Sequence, residues 1–130
     1  MNQGLSIVCQ FAEVSGTSLN ALIGVRVGRG VLADGWTNTT AAISIHAQSL
    51  RAHLTSTVQE DRYVIKCFGG SSNPMDAEEV FRAVFDRFQN ASGNMAAGGL
   101  VIAELETASP TLEPDTNYPV YISTWRIMTS

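Results

Sequence analysis

Charged residues are fewer in this sequence than in an ordinary soluble domain. Asp, Glu, Lys and Arg make up 15% of its 130 residues, against about 25% in an average soluble domain. Only 8 residues are basic against 12 acidic, for a net charge of −4, and the basic ones are scattered. That argues against a protein that grips nucleic acid by its phosphates. Cysteine is scarcer still, with two residues. Cys9 and Cys67 lie far apart with no Cys-x-x-Cys spacing, and they read as buried thiols of a reducing compartment, not as a disulfide or a metal pair. The two histidines, His46 and His53, have no third ligand at metal spacing. No stretch approaches the roughly 18 apolar residues of a membrane span. The chain does not open on a basic region followed by an apolar run, so no signal peptide and no membrane partner are expected.

Catalytic signatures are missing too. There is no H-x-x-x-H, no G-x-S-x-G and no Cys–His arrangement. Gly24 to Gly30 has its glycines at the wrong places for a phosphate loop, and a bent strand or turn fits it better. Glu78 and Glu79 are adjacent on a helix and point about 100° apart, so they do not share a proton or a metal. Glu104 and Glu106 share a strand face; a solvent-facing or partner-facing strand explains them more simply than acid–base chemistry. The expectation is a protein that is not an enzyme, with no catalytic residue, no cofactor and no metal.

What is present is clearest from Arg62 to Asn90. The strand Arg-Tyr-Val-Ile-Lys-Cys-Phe leads through a polar turn, Gly69 to Asn73, into an amphipathic helix. Asn73 is suited to the N-cap and Pro74 to the first helical position. Asp76 is placed to reach back toward the cap. Ala77, Val80, Phe81, Val84 and Phe88 form one apolar stripe, and Glu78–Arg82 and Arg82–Asp86 are i, i+4 pairs on the other face.

Around this unit, Leu5 to Val14 fits neither the helical nor the strand period, and either remains open. Leu19 to Ile23 reads as a helical turn capped by Thr17 or Ser18 and stopped at Gly24. Val25 to Leu32 reads as an extended piece bending at Gly28 and Gly30. Ala42 to Gln48 alternates as a half-buried strand, with Ile43, Ile45 and Ala47 on one face. Gln59-Glu60-Asp61 reads as a turn, and Ala91 to Gly99 as a mobile loop or arm. Leu100 to Thr107 and Tyr118 to Met128 are strands joined by the turn-rich Pro110 to Pro119. The fold class is α+β: one domain over residues 1–130, with a mostly antiparallel sheet of about four or five strands and one main amphipathic helix packed on one face. Val64, Phe68, Ile122 and Leu100 are expected on the other face, covered by the N-terminal segment or by another chain.

In order, the short helix ending Leu19-Asn20-Ala21-Leu22-Ile23-Gly24, the Val25-Arg26-Val27 strand and its Gly-rich bend, and the Asp34-Gly35-Trp36 turn precede Tyr63-Val64-Ile65-Lys66-Cys67-Phe68-Gly69. The helix with Asp76-Ala77-Glu78-Glu79-Val80-Phe81 follows, then Leu112-Glu113-Pro114-Asp115-Thr116 and the Tyr118-Pro119-Val120 entry to a last strand. From Leu19 to Met128 this series resembles the tail terminator (tail completion) proteins of long-tailed bacteriophages, a group that includes minor capsid and neck proteins. The resemblance implies a virion protein assembled in the host cytoplasm as a homo-hexameric ring. Such a ring caps the head-proximal end of the tail tube, stops tube polymerisation and docks to the head connector. Its partners would be the tail tube protein and a head-closure or connector protein, with DNA passing through the lumen without specific binding. Gly28 to Asn38 and Ala91 to Gly99 are the expected docking arms, and Arg26, Arg29, Trp36 and Met95 the interface residues. Two other readings stand beside it: another neck protein (a head-closure or head–tail adaptor), or a small ligand-binding domain or enzyme. The apolar stripe makes a first prediction. Phe81→Ala should cost about 3–5 kcal/mol in a denaturation measurement, whereas a change at Arg82 should leave the fold intact.

Overall fold

The computed structural model describes residues 4–30, 39–49, 59–114 and 116–130. The Asp34-Gly35-Trp36 turn, Arg51 and His53 lie outside them. The segment that fitted neither period is a helix, α1 (Gly4–Ala12), and the reason for its poor periodicity is its position. Ile7, Val8, Cys9, Phe11 and Ala12 are all buried, and a helix enclosed on most sides needs no polar face. Next, α2 (Ser18–Ile23) begins where expected: the Thr17 hydroxyl accepts from the Asn20 N–H at 3.0 Å, and Gly24 ends it at φ 58°.

Among the described residues six strands follow in one sheet: β1 (Val27–Arg29), β2 (Ala42–Ser49), β3 (Gln59–Phe68), β4 (Gly93–Met95), β5 (Gly98–Leu112) and β6 (Pro119–Thr129), with α3 (Pro74–Phe88) between β3 and β4. The spatial order is β1-β2-β3-β6-β5-β4. β1 runs parallel to β2 and every other pair is antiparallel. The α+β class and the mostly antiparallel sheet match expectation; the strand count and the single covering helix do not. β1 and β4 have three residues each, too few to show a period, and all three helices contribute side chains to one buried cluster.

Several boundaries also move. Gln59-Glu60-Asp61 is the start of β3, not a turn, and pairs with Thr129, Met128 and Ile127. Gly28 lies inside β1 and the chain turns at Gly30, φ 86°. β5 continues through Pro110 to Leu112, which shortens the link to β6 to residues 113–118. Pro110 is tolerated because the far side of β5 there has no strand partner among the described residues. Residues 91–99 are not a loose arm: they hold β4 and the turn into β5. Side chains at Gly98 and Gly99 would strike the oxygens of Ser130 at 2.6 and 2.7 Å, so this stretch of small residues reflects close packing against the end of β6.

The strand–turn–helix unit is built as its sequence indicates, with two differences. Asn73 Oδ1 accepts from the Met75 N–H at 3.0 Å. Asp76 does not reach the cap, however; its carboxylate accepts from the Ser71 hydroxyl. Of the stripe, Ala77, Val80, Val84 and Phe88 are buried, joined by Ala83. Phe81 is only half-buried, stacked on Tyr121 with ring centroids 4.4 Å apart.

The core lies between the helices and the face of the sheet that carries Ile43, Ile45, Tyr63, Ile65, Trp125 and Ile127. Phe88 sits 5.9 Å from the Trp125 ring and 5.2 Å from the Phe11 ring. Trp125 Nε1 donates to Ser123 Oγ at 2.9 Å, and that hydroxyl donates to the Ile65 carbonyl at 3.1 Å. The indole N–H and the Ser123 hydroxyl carried into this core therefore both have partners. Leu100 belongs to this cluster as well, not to the opposite face, and the N-terminal segment covers the helix side. Burial reorders the expected costs. Phe88→Ala should lose about 3–5 kcal/mol and Phe81→Ala roughly half as much. Urea unfolding of the two variants side by side checks this; equal losses would contradict the packing described.

Candidate interaction surfaces

The face of the sheet away from the helices carries a ladder of charge. Arg62 and Arg126 are direct cross-strand partners, an arrangement of like charges that is unfavourable unless countered. Glutamates counter it from both sides. Arg126 meets Glu104 at 2.6 Å and Glu60 at 3.4 Å, and Arg62 meets Glu106 at 3.0 Å. The Glu104 hydrogen bond, then its charge and that of Glu60, holds the Arg126 guanidinium above its ordinary pKa. Glu104 and Glu106 thus do share a face, as the strand alternation indicates. Glu104 is engaged by Arg126 of the neighbouring β6 and Glu106 by Arg62 of β3, one strand further on, which gives the pair a role in strand register. Farther along, Lys66 lies 3.7 Å from Glu113.

The expected interface residues fall at the two margins of the sheet. Arg26 precedes β1 and is exposed, yet its guanidinium is occupied. Nε donates to the Ala41 carbonyl at 2.7 Å and Nη2 to the Leu22 carbonyl at 3.1 Å, tying the end of α2 to the start of β2. Arg29 donates to Ser6 Oγ at 2.8 Å and so anchors α1 to β1. Met95 is on β4, at the opposite end of the strand order, half-buried against the core. Trp36 lies outside the described residues.

Sequence reasoning missed the free end of the β5–β6 hairpin. Past β4, the outer side of β5 meets the end of α3: the Asn90 N–H donates to the Ala103 carbonyl at 2.9 Å and Gln89 Oε1 accepts from the Leu105 N–H at 3.0 Å. Leu112, 54% exposed, and Phe85, 38% exposed, stand on the helix side of this margin. Ending the strand at Thr107 and reading Pro110 to Pro119 as a linker concealed it; the available signal was the alternation of Ala103 and Leu105 with Glu104 and Glu106, resumed out of phase by Ala108, Pro110 and Leu112 with Ser109 and Thr111.

The start of α3 borders an open depression lined by Asn73, Met75, Asp76, Glu78, Glu79 and Arg82. Three carboxylates there oppose the anion binding that a helix N-terminus otherwise favours. Among the described residues no three of His, Cys, Asp and Glu gather closely enough to hold a metal. Burial raises the Cys9 thiol to about 11 and pushes Cys67 higher still.

No family model matches the chain, and no curated protein matches it. A solved structure does. The chain is similar to one in the "Virion of native gene transfer agent (GTA) particle", at 17% identity and a TM-score of 0.70, over 96% of this chain and 92% of that one. At that identity the likeness is one of fold.

The thiols supply a pH prediction. A buried thiol keeps its proton in the folded state at a pH where the unfolded chain has lost it, so stability is complete below the unfolded value. It should fall as pH rises from about 9 toward 11 for Cys9, by at most about 1.4 kcal/mol per pH unit per thiol. Urea midpoints across that range test the direction. In the same range a thiol reagent should label the native protein slowly and the urea-unfolded protein at once; rapid native labelling would contradict the burial.

Proposed function

We propose that the chain is a structural subunit of a phage-like particle and, within it, a tail terminator. In this reading it forms a hexameric ring at the head-proximal end of the tail tube, stops the tube's growth and joins it to the head connector. The observation that carries the proposal is the fold likeness to a chain of a virion, which spans nearly the whole of both chains. The order of short motifs from Leu19 to Met128 adds the specific role.

Two features of the molecule support the reading. Every lysine and arginine among the described residues is engaged within the chain. Arg62, Lys66, Arg82 and Arg126 pair with carboxylates, Arg26 and Arg29 bind backbone or Ser6, and Arg87 lies 3.6 Å over the Phe11 ring. A conduit through which DNA must slide gains from having few free cations to hold phosphates. Secondly, a closed ring built from one repeated contact needs two different surfaces on each subunit. The β1 margin with Arg26 and Arg29 and the β4 margin with Met95 lie at opposite ends of the strand order, and Trp36 follows the first in sequence. Contacts there belong to the same proposal.

Removal of the gene is the decisive genetic test. A terminator knockout should give tails of uncontrolled, excessive length in electron micrographs. Tails of normal length attached to nothing, beside heads that leak DNA, would instead assign the chain to head closure.

A further inference from the structure

We draw no further inference here: the strongest candidate, the exposed apolar side chain of Leu112 at the free margin of the β5–β6 hairpin, carries nothing because nothing in the structure shows what covers it.

Discussion

The position of α1 is the constraint on which the rest of the molecule depends. This nine-residue helix touches β1 and β2 on one side and β4 and β5 on the other, so the sheet has to curl until both of its ends reach one helix. Polar contacts fix it at each end: Arg29 of β1 donates to Ser6, and the Ala97 N–H, in the turn between β4 and β5, donates to Gln10 Oε1 at 2.9 Å. Between them Ile7, Val8 and Cys9 enter the core, and Phe11 follows just beyond. Arg87 of α3 closes the arrangement by donating to the Phe11 carbonyl at 3.0 Å while lying over its ring. Burial lowers the pKa of that guanidinium, a cost offset by the carbonyl and the aromatic face. One short helix thereby determines how far apart the two margins of the sheet stand.

A sheet held in this way is suited to positioning surfaces, and the chemistry of those surfaces agrees. On the outer face the carboxylates answer guanidiniums across three strands, which favours one register over a slipped one. At the margins the arginines serve the fold before they serve any partner. An Arg26 substitution would loosen the junction of α2 with β2, so a loss of assembly at that position has to be read against the stability of the variant.

Legibility in the sequence followed the strength of local signals. Asn73-Pro74 and Thr17 with Gly24 mark helix ends through chemistry that acts within a few residues, and those ends were readable. The strands β2 and β6 were readable because the larger apolar residues, Ile43 and Ile45 or Trp125 and Ile127, recur at period two with polar residues between them, even though Ser44 is itself buried. α1 was not, since Gly4, Ile7, Val8, Cys9, Phe11 and Ala12 are buried together and a helix so enclosed shows no contrast between faces. β4 was lost because three residues carry no period and because glycines required for close approach to Ser130 look like a flexible loop. The lower burial of Phe81 was hidden for another reason. The stripe identifies a face, but how deeply each residue of that face enters the core depends on Tyr121 and Trp125, far along the chain. Of the expected interface residues, Arg26 and Arg29 lie beside the β1 that their sequence suggests and Met95 lies on the β4 that was read as a loop; the engagement of Arg26 with Ala41 and Leu22 was not legible, because it rests on how α2 and β2 meet.

The central claim is that a rigid, self-contained subunit acts by assembling with copies of itself on the end of a tube. Electron microscopy of the purified protein mixed with tail tubes of the same particle tests it most directly. The account predicts six-fold rings seated at one end of the tubes, with no further growth from that end. Tubes with bare ends, beside protein that remains monomeric by solution mass, would contradict it.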